Sequence, residues 1–310
     1  MSFDRAELVE AARLSIAHGS KSFGLASTLF DRETRERAWL LYAWCRACDD
    51  LADGQEMGHG MHVVADPAAR LATIREKTAF ALAGKPTGDP AFDGFGVVAR
   101  ECAIPPRLAN DLIAGFALDA EGWSPRTEND LYRYCYYVAG AVGVMMALVM
   151  GIKPDDEATL DRACDLGLAF QLANIARDIC EDDAAGRCYL PLEWLVEMDI
   201  PPGEQLKPHY RPRLAVLAQR LAKRAALYEA SARYGTAALP FRAAWAVLAA
   251  AGIYGDIARE VAKAGEHAWD HRIHTSKAAK IGWVAKSFAQ AVTRHGASNR
   301  SPKLWARPRN

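Results

Sequence analysis

Two stretches of this 310-residue chain put carboxylates where a helix ordinarily buries leucine. The first is Tyr42-Ala-Trp-Cys-Arg46-Ala-Cys-Asp49-Asp50-Leu-Ala-Asp53. The second is Gln171-Leu-Ala-Asn174-Ile-Ala-Arg177-Asp178-Ile-Cys-Glu181-Asp182. At about 100° per residue, Tyr42, Arg46, Asp49 and Asp53 fall within roughly 60° of one another, and Gln171, Asn174, Asp178 and Asp182 within about 80°. That i, i+3, i+4, i+7 spacing normally marks the apolar stripe facing a core. Burying several carboxylates without cations is very costly, so the spacing predicts metal ions held between two helices. The competing explanation is a solvated face with i, i+4 ion pairs. A solvated face would not be bordered so closely by Leu40, Leu41 and Trp44, or by Leu168, Phe170 and Leu172. Asp50 and Asp183 point about 100° away from their neighbours on a helix and are expected outside the site.

The rest of the chain reads as helix. Alternating β-branched runs are absent and alanine is abundant, so an all-α fold in one domain is predicted over residues 1–295. Helices are expected near 4–18, 32–53, 67–84, 90–102, 106–120, 128–151, 156–184, 191–196, 211–234, 238–265 and 276–294, with a break near Gly252–Gly255. Asp31 and either Asp155 or Asp156 are suitable N-caps for the two helices that carry the acidic clusters. Tyr134 to Ile152 carries no charge, a length that meets the lower bound for a membrane span. Its tyrosines and its many Gly and Ala residues suit a central helix enclosed by others. Half the residues are apolar (51%) and a quarter charged (25%), an ordinary globular composition.

Formal charge balances, and nothing in the pattern calls for a nucleic-acid partner. The balance hides an asymmetry, because nine Lys and Arg follow Asp270 with no acidic residue among them. Residues 296–310 are expected to form a basic, flexible tail. The seven cysteines, without a signal-peptide pattern, point to free thiols in a reducing cytosol. Cys45 and Cys48 lack a second ligand pair for zinc. Gly94-Phe-Gly96-Val-Val-Ala99 nominally fits a dinucleotide fingerprint, but no strand precedes it and no acidic residue follows at the required distance. It is read as helix packing, and no NADPH is expected.

Oxygen-only ligands from Asp49, Asp53, Asp178 and Asp182 suit Mg²⁺ or Mn²⁺. Mg²⁺ is usually held by a few carboxylates together with substrate phosphates, so such a site needs a phosphorylated ligand to complete it. Arg46 and Arg177 are placed to meet phosphate, and Ser20-Lys21-Ser22 follows the first helix, where backbone N–H groups could meet an anion.

These residues resemble the squalene/phytoene synthase family, and within it the bacterial phytoene-forming members. The resemblance runs from Ser20-Lys21-Ser22-Phe23 to about Arg272. It includes both acidic clusters, Tyr134-Cys-Tyr-Tyr-Val-Ala-Gly140 and Gly186-Arg-Cys-Tyr-Leu-Pro191. It implies an isoprenoid-synthase fold around a central cavity with an aspartate-rich motif on either side of its mouth. It also implies head-to-head condensation of two geranylgeranyl diphosphates, through prephytoene diphosphate, to phytoene with release of diphosphate. In that scheme Asp49, Asp53, Asp178 and Asp182 hold Mg²⁺, and Ser20, Lys21, Ser22, Arg46 and Arg177 steady the diphosphates. Gln171 and Asn174 orient substrate or metal-bound water. Tyr42, Tyr134, Tyr189 and Tyr254 line the cavity near the reacting carbons, where π faces stabilise carbocations. The family's basic pair before the last helix reads His271-Arg272 here, so only Arg272 carries over.

The rival readings are a shorter-chain head-to-head synthase of squalene or dehydrosqualene type, a head-to-tail prenyltransferase, a terpene cyclase, and a non-catalytic helical protein of the membrane surface. In residues 275–295, Ile281, Val284, Phe288 and Val292 share one helix face. A cytoplasmic enzyme resting there, or by its basic tail, on an anionic membrane is the expectation; a helix docked on the core is the alternative.

Overall fold

A computed structural model describes residues 3–54, 66–294, 296 and 299–309, with the Lys21 and Ser22 side chains outside that description. Most of the expected helices are present. In chain order they are α1 (Arg5–Gly19), α2 (Lys21–Ser27), α3 (Arg32–Asp53), α4 (Pro67–Leu82), α5 (Pro90–Glu101), α6 (Pro106–Ala120) and α7 (Glu128–Cys135). A π-helical turn, Tyr136–Gly140, joins α7 to α8 (Ala141–Val149). Then come α9 (Glu157–Ala184), α10 (Leu192–Glu197), α11 (Arg211–Gly235), α12 (Phe241–Ala264) and α13 (Lys277–Val292). Among the described residues there is no strand.

The two cluster-bearing helices start as their sequences dictate. The Asp31 side chain accepts from Thr34 N at 2.9 Å, and the Asp156 side chain accepts from Thr159 N at 3.1 Å, satisfying backbone donors that a helix start leaves open. The uncharged segment is a central helix: Cys135, Tyr136, Ala141 and Met145 are fully buried. It lies against α9 through small residues. A β-carbon at Gly167 would sit 2.4 Å from the Ala139 carbonyl oxygen, and one at Gly143 would sit 2.4 Å from that of Ala163. The two backbones therefore touch, which brings the central helix and α9 together as adjacent walls of one cavity.

Three features depart from the sequence reading. The chain from Lys21 to Ser27 forms its own short helix, capped by the Ser20 hydroxyl accepting from Phe23 N. Helix α12 runs unbroken through Gly252 and Gly255. Those glycines serve close approach instead, since β-carbons there would strike the Trp283 ring at 2.1 Å and the Glu229 carboxylate at 2.2 Å.

The third departure is the C-terminal segment, which is seated on the helical body and does not hang free. Arg300 forms an ion pair with the fully buried Asp165 at 2.6 Å, and Arg307 pairs with Asp161 at 2.8 Å. The Trp305 backbone N–H donates to the Tyr228 hydroxyl at 3.1 Å. Charge alone suggested a solvated tail. Its acidic partners lie some 140 residues upstream, where local reading does not connect them.

Gly167→Ala is expected to destabilise the fold by about 2 kcal/mol or more, because backbone atoms must shift to admit the methyl group. Urea unfolding measures this, and an unchanged midpoint would contradict the described contact between the π turn of the central helix and α9.

Candidate active site

One elongated cavity of about 520 Å³ runs through the helical body, within the range of ligand-binding pockets. On α3 it is lined in order by Ala38, Leu41, Tyr42, Cys45, Arg46, Asp49 and Asp53. On α9 the lining residues run from Thr159 and Arg162 through Gly167 and Gln171 to Asn174, Asp178 and Asp182. Both helices therefore present carboxylates at one end and apolar or small residues along the chamber, with Thr159 and Arg162 at the far end of α9. From Arg162 to Asp178 the helix rises about 24 Å. Asp50 and Asp183 do not line the cavity, as their angular offset predicted. Asp183 instead accepts from Gln205 Nε2 at 2.5 Å.

At the acidic mouth the carboxylates are held by arginines. Arg46 pairs with Asp49 at 2.6 Å and Arg187 with Asp53 at 2.5 Å. Asp178 takes the Arg177 fork, with Nε at 2.7 Å, and the Arg272 guanidinium at 3.0 Å. No arginine closes on Asp182 within ion-pair distance among the described residues. Helix α9 is bent at Asp178, whose backbone leaves helical geometry (φ −99°, ψ 16°). Backbone irregularities of this kind recur at functional sites.

Burial pushes the Asp182 carboxyl up to about 7, with the Asp178 charge adding to the rise and Arg187 opposing it. Burial likewise pushes Asp49 up to about 6, against the lowering effect of Arg46. Asn174 Oδ1, Arg46 Nε and the Tyr42 hydroxyl are buried without a hydrogen-bond partner among the described residues.

Aromatic rings flank the chamber on two sides. Tyr254 stacks on Phe170 (centroids 4.4 Å apart) and on Phe23 (5.2 Å), and Tyr42 lies 6.4 Å from Phe23. Elsewhere on the wall Tyr134 and Tyr189 stack at 4.7 Å. Both phenols donate to one carboxylate, Asp119, at 3.0 and 2.8 Å. Ser20 caps α2 and is not among the lining residues, and the Lys21 and Ser22 side chains lie outside the described residues. Arg177 reaches the site through Asp178 without lining the cavity.

An acidic mouth on an apolar, aromatic chamber suits a lipid carrying a charged head. The squalene/phytoene synthase family profile matches residues 16–279. The chain belongs to this family.

A phytoene synthase of Pseudescherichia vulneris is 45% identical over 97% of this chain and 98% of its own length. A 15-cis-phytoene synthase of Pantoea ananas is 44% identical, with the same coverage of both chains. Among solved structures, a dehydrosqualene synthase superposes with a TM-score of 0.82 at 27% identity, covering 92% of this chain and 96% of that one.

Two residues of this family member escaped the sequence reading. Arg187 lies inside the quoted Gly186–Pro191 segment, and its value became clear only when the fold brought it to Asp53. Asp119 had a readable signal. It continues the buried stripe Leu112, Phe116 on α6 at i, i+4, i+7 spacing, so an acid there faces the cavity.

The sign of the pH effect follows from these shifts. Asp49, Asp119 and Asp182 bind protons more tightly folded than unfolded, so their ionisation opposes folding. Their stabilising contribution is complete below about pH 4 and is lost as pH rises through about 6 to 7. Without divalent ions, Asp182→Asn is therefore expected to gain stability relative to the parent chain between about pH 5 and 8. Thermal midpoints across that range test it, and a constant difference would contradict the assigned environment.

Proposed function

We propose that the chain condenses two geranylgeranyl diphosphates head to head, through prephytoene diphosphate, to phytoene, releasing diphosphate. The observation that carries this reading is a single cavity with an acidic mouth and an apolar depth on the same two helices. It is found in a chain 44–46% identical to phytoene synthases over almost its whole length.

Among the described residues no group of carboxylates, histidines and cysteines converges tightly enough to hold a metal alone. A Mg²⁺ ion placed here would need water and substrate phosphate to complete its coordination. Oxygen-only donors, carboxylates short of countercharge and the unpartnered Asn174 Oδ1 fit Mg²⁺ or Mn²⁺. Asp49, Asp53, Asp178 and Asp182 would hold the ions. When bound, they would stabilise charge developing on the departing diphosphate.

The chain's own residues do the remainder. Arg46, Arg177, Arg187 and Arg272 present forks that match phosphate as well as carboxylate, so entering diphosphate competes for them. Gln171 and Asn174 orient the head group. The rings of Tyr42, Phe23, Phe170 and Tyr254 offer π faces to cationic carbon, and the apolar wall excludes water that would quench it. Asp119 fixes the Tyr134 and Tyr189 phenols, which sets the aim of both rings. In this reading proton loss closes the reaction, without NADPH.

The same reading places the enzyme in the cytoplasm against the membrane. Ile281 and Val292 on α13 are 69% and 61% exposed, and Lys277 and Lys286 lie on the same helix. The arginines of the C-terminal segment, by contrast, are engaged in ion pairs. Helix α13 is thus the proposed contact with an anionic leaflet. Co-sedimentation with anionic vesicles should weaken in Ile281→Asp/Val292→Asp, and undiminished binding would remove this assignment.

Incubation with geranylgeranyl diphosphate and Mg²⁺, without NADPH, is expected to yield a conjugated-triene hydrocarbon. Asp49→Ala or Asp178→Ala should lower turnover by about 10³-fold with helical circular dichroism intact. A cyclic diterpene or a longer prenyl diphosphate as product would overturn the proposal. Preference for farnesyl diphosphate would assign the shorter-chain reaction instead.

A further inference from the structure

The apolar end of the cavity finishes on a charged layer. Arg162, 5% exposed, lines the cavity there beside Thr159 and Thr236. Its aliphatic stem lies so close to Gly235 that a β-carbon on that glycine would stand 2.8 Å from Arg162 Cβ. Its guanidinium donates to the Ser231 carbonyl at 2.8 Å. The Ser231 hydroxyl donates in turn to Asp165 at 2.6 Å. Asp165 is fully buried, and its remaining partners come from the C-terminal segment: Arg300 Nε at 2.8 Å and Nη2 at 2.6 Å.

A buried carboxylate that loses its cation is strongly destabilised. Asp165 lies three residues from Arg162 on α9, so any adjustment at one is felt at the other. The segment that supplies Arg300 is itself fastened by Arg307 and Arg309 on Asp161.

We propose that residues 299–309 act as a strap that fixes the floor of the cavity, with Arg300 positioning Arg162 through Asp165 and Ser231, and so limits the length of prenyl chain the cavity accepts. Arg300 is a positioning residue, since it does not line the cavity and reaches Arg162 through Asp165 and Ser231. The inference rests on the reading of the cavity as a prenyl-diphosphate site. It assigns to the C-terminal segment a role in substrate selection that the acidic mouth does not supply.

Binding of unreactive thiolodiphosphate analogues of fifteen, twenty and twenty-five carbons, followed by tryptophan fluorescence, tests it independently of turnover. The parent chain should bind the twenty-carbon analogue at least about tenfold more tightly than the twenty-five-carbon one. Arg300→Gln should shrink that gap to about threefold or less, and Arg300→Lys should restore part of it. Ser231→Ala, which cuts the relay but leaves the Arg300–Asp165 pair, gives the same readout should Arg300→Gln fail to fold. An unchanged gap in the folded variants overturns the strap proposal alone. Failure of the parent chain to bind any analogue overturns the prenyl-diphosphate reading and the strap together.

Discussion

Carboxylates gathered at the buried mouth of an apolar chamber lose water and repel one another, and the rest of the architecture answers that constraint. Arginines from four separate places in the chain, at positions 46, 177, 187 and 272, converge on three of the aspartates. Each pair offsets part of the desolvation of its partner, yet Asp182 is left with a raised proton affinity and no arginine partner among the described residues. The site is thus poised for additional positive charge and for an anion that can take over the guanidinium forks. In the proposed function a magnesium diphosphate would supply both at once.

Backbone irregularity falls at two places along the cavity wall. The bend in α9 occurs at Asp178, and the π turn Tyr136–Gly140 begins two residues after Tyr134 of the aromatic wall. A regular helix would carry both side chains on a fixed 3.6-residue course. The bend and the π turn change the course of the residues that follow them, while glycines keep the central helix and α9 in backbone contact. The cavity is therefore a consequence of where the helices cannot close. Its mouth is held open by charge, and its walls are set by ring stacking and small residues.

Much of this was legible in the sequence. Periodicity alone placed Asp49, Asp53, Asp178 and Asp182 on inward faces and set Asp50 and Asp183 aside, because helix geometry is local and rigid. N-caps at Asp31 and Asp156 were legible for the same reason. Contacts made over long sequence separation were not: Arg187 with Asp53, and Arg300 with Asp165, join residues whose local surroundings look like ordinary surface. The expected break at Gly252–Gly255 failed because a glycine marks either flexibility or close approach, and only the neighbouring Trp283 decides which. Asp119 stood on a readable apolar stripe, but a single acid there carries little weight until its two tyrosines are seen.

The central claim is that the two acidic stripes form one site completed jointly by a divalent ion and a diphosphate. Calorimetric titration of inorganic diphosphate, with and without Mg²⁺, tests it most directly. The account predicts weak binding of either alone and at least about tenfold tighter binding together, with that coupling lost in Asp49→Ala and in Asp178→Ala. Diphosphate affinity indifferent to Mg²⁺ and to both substitutions would contradict it.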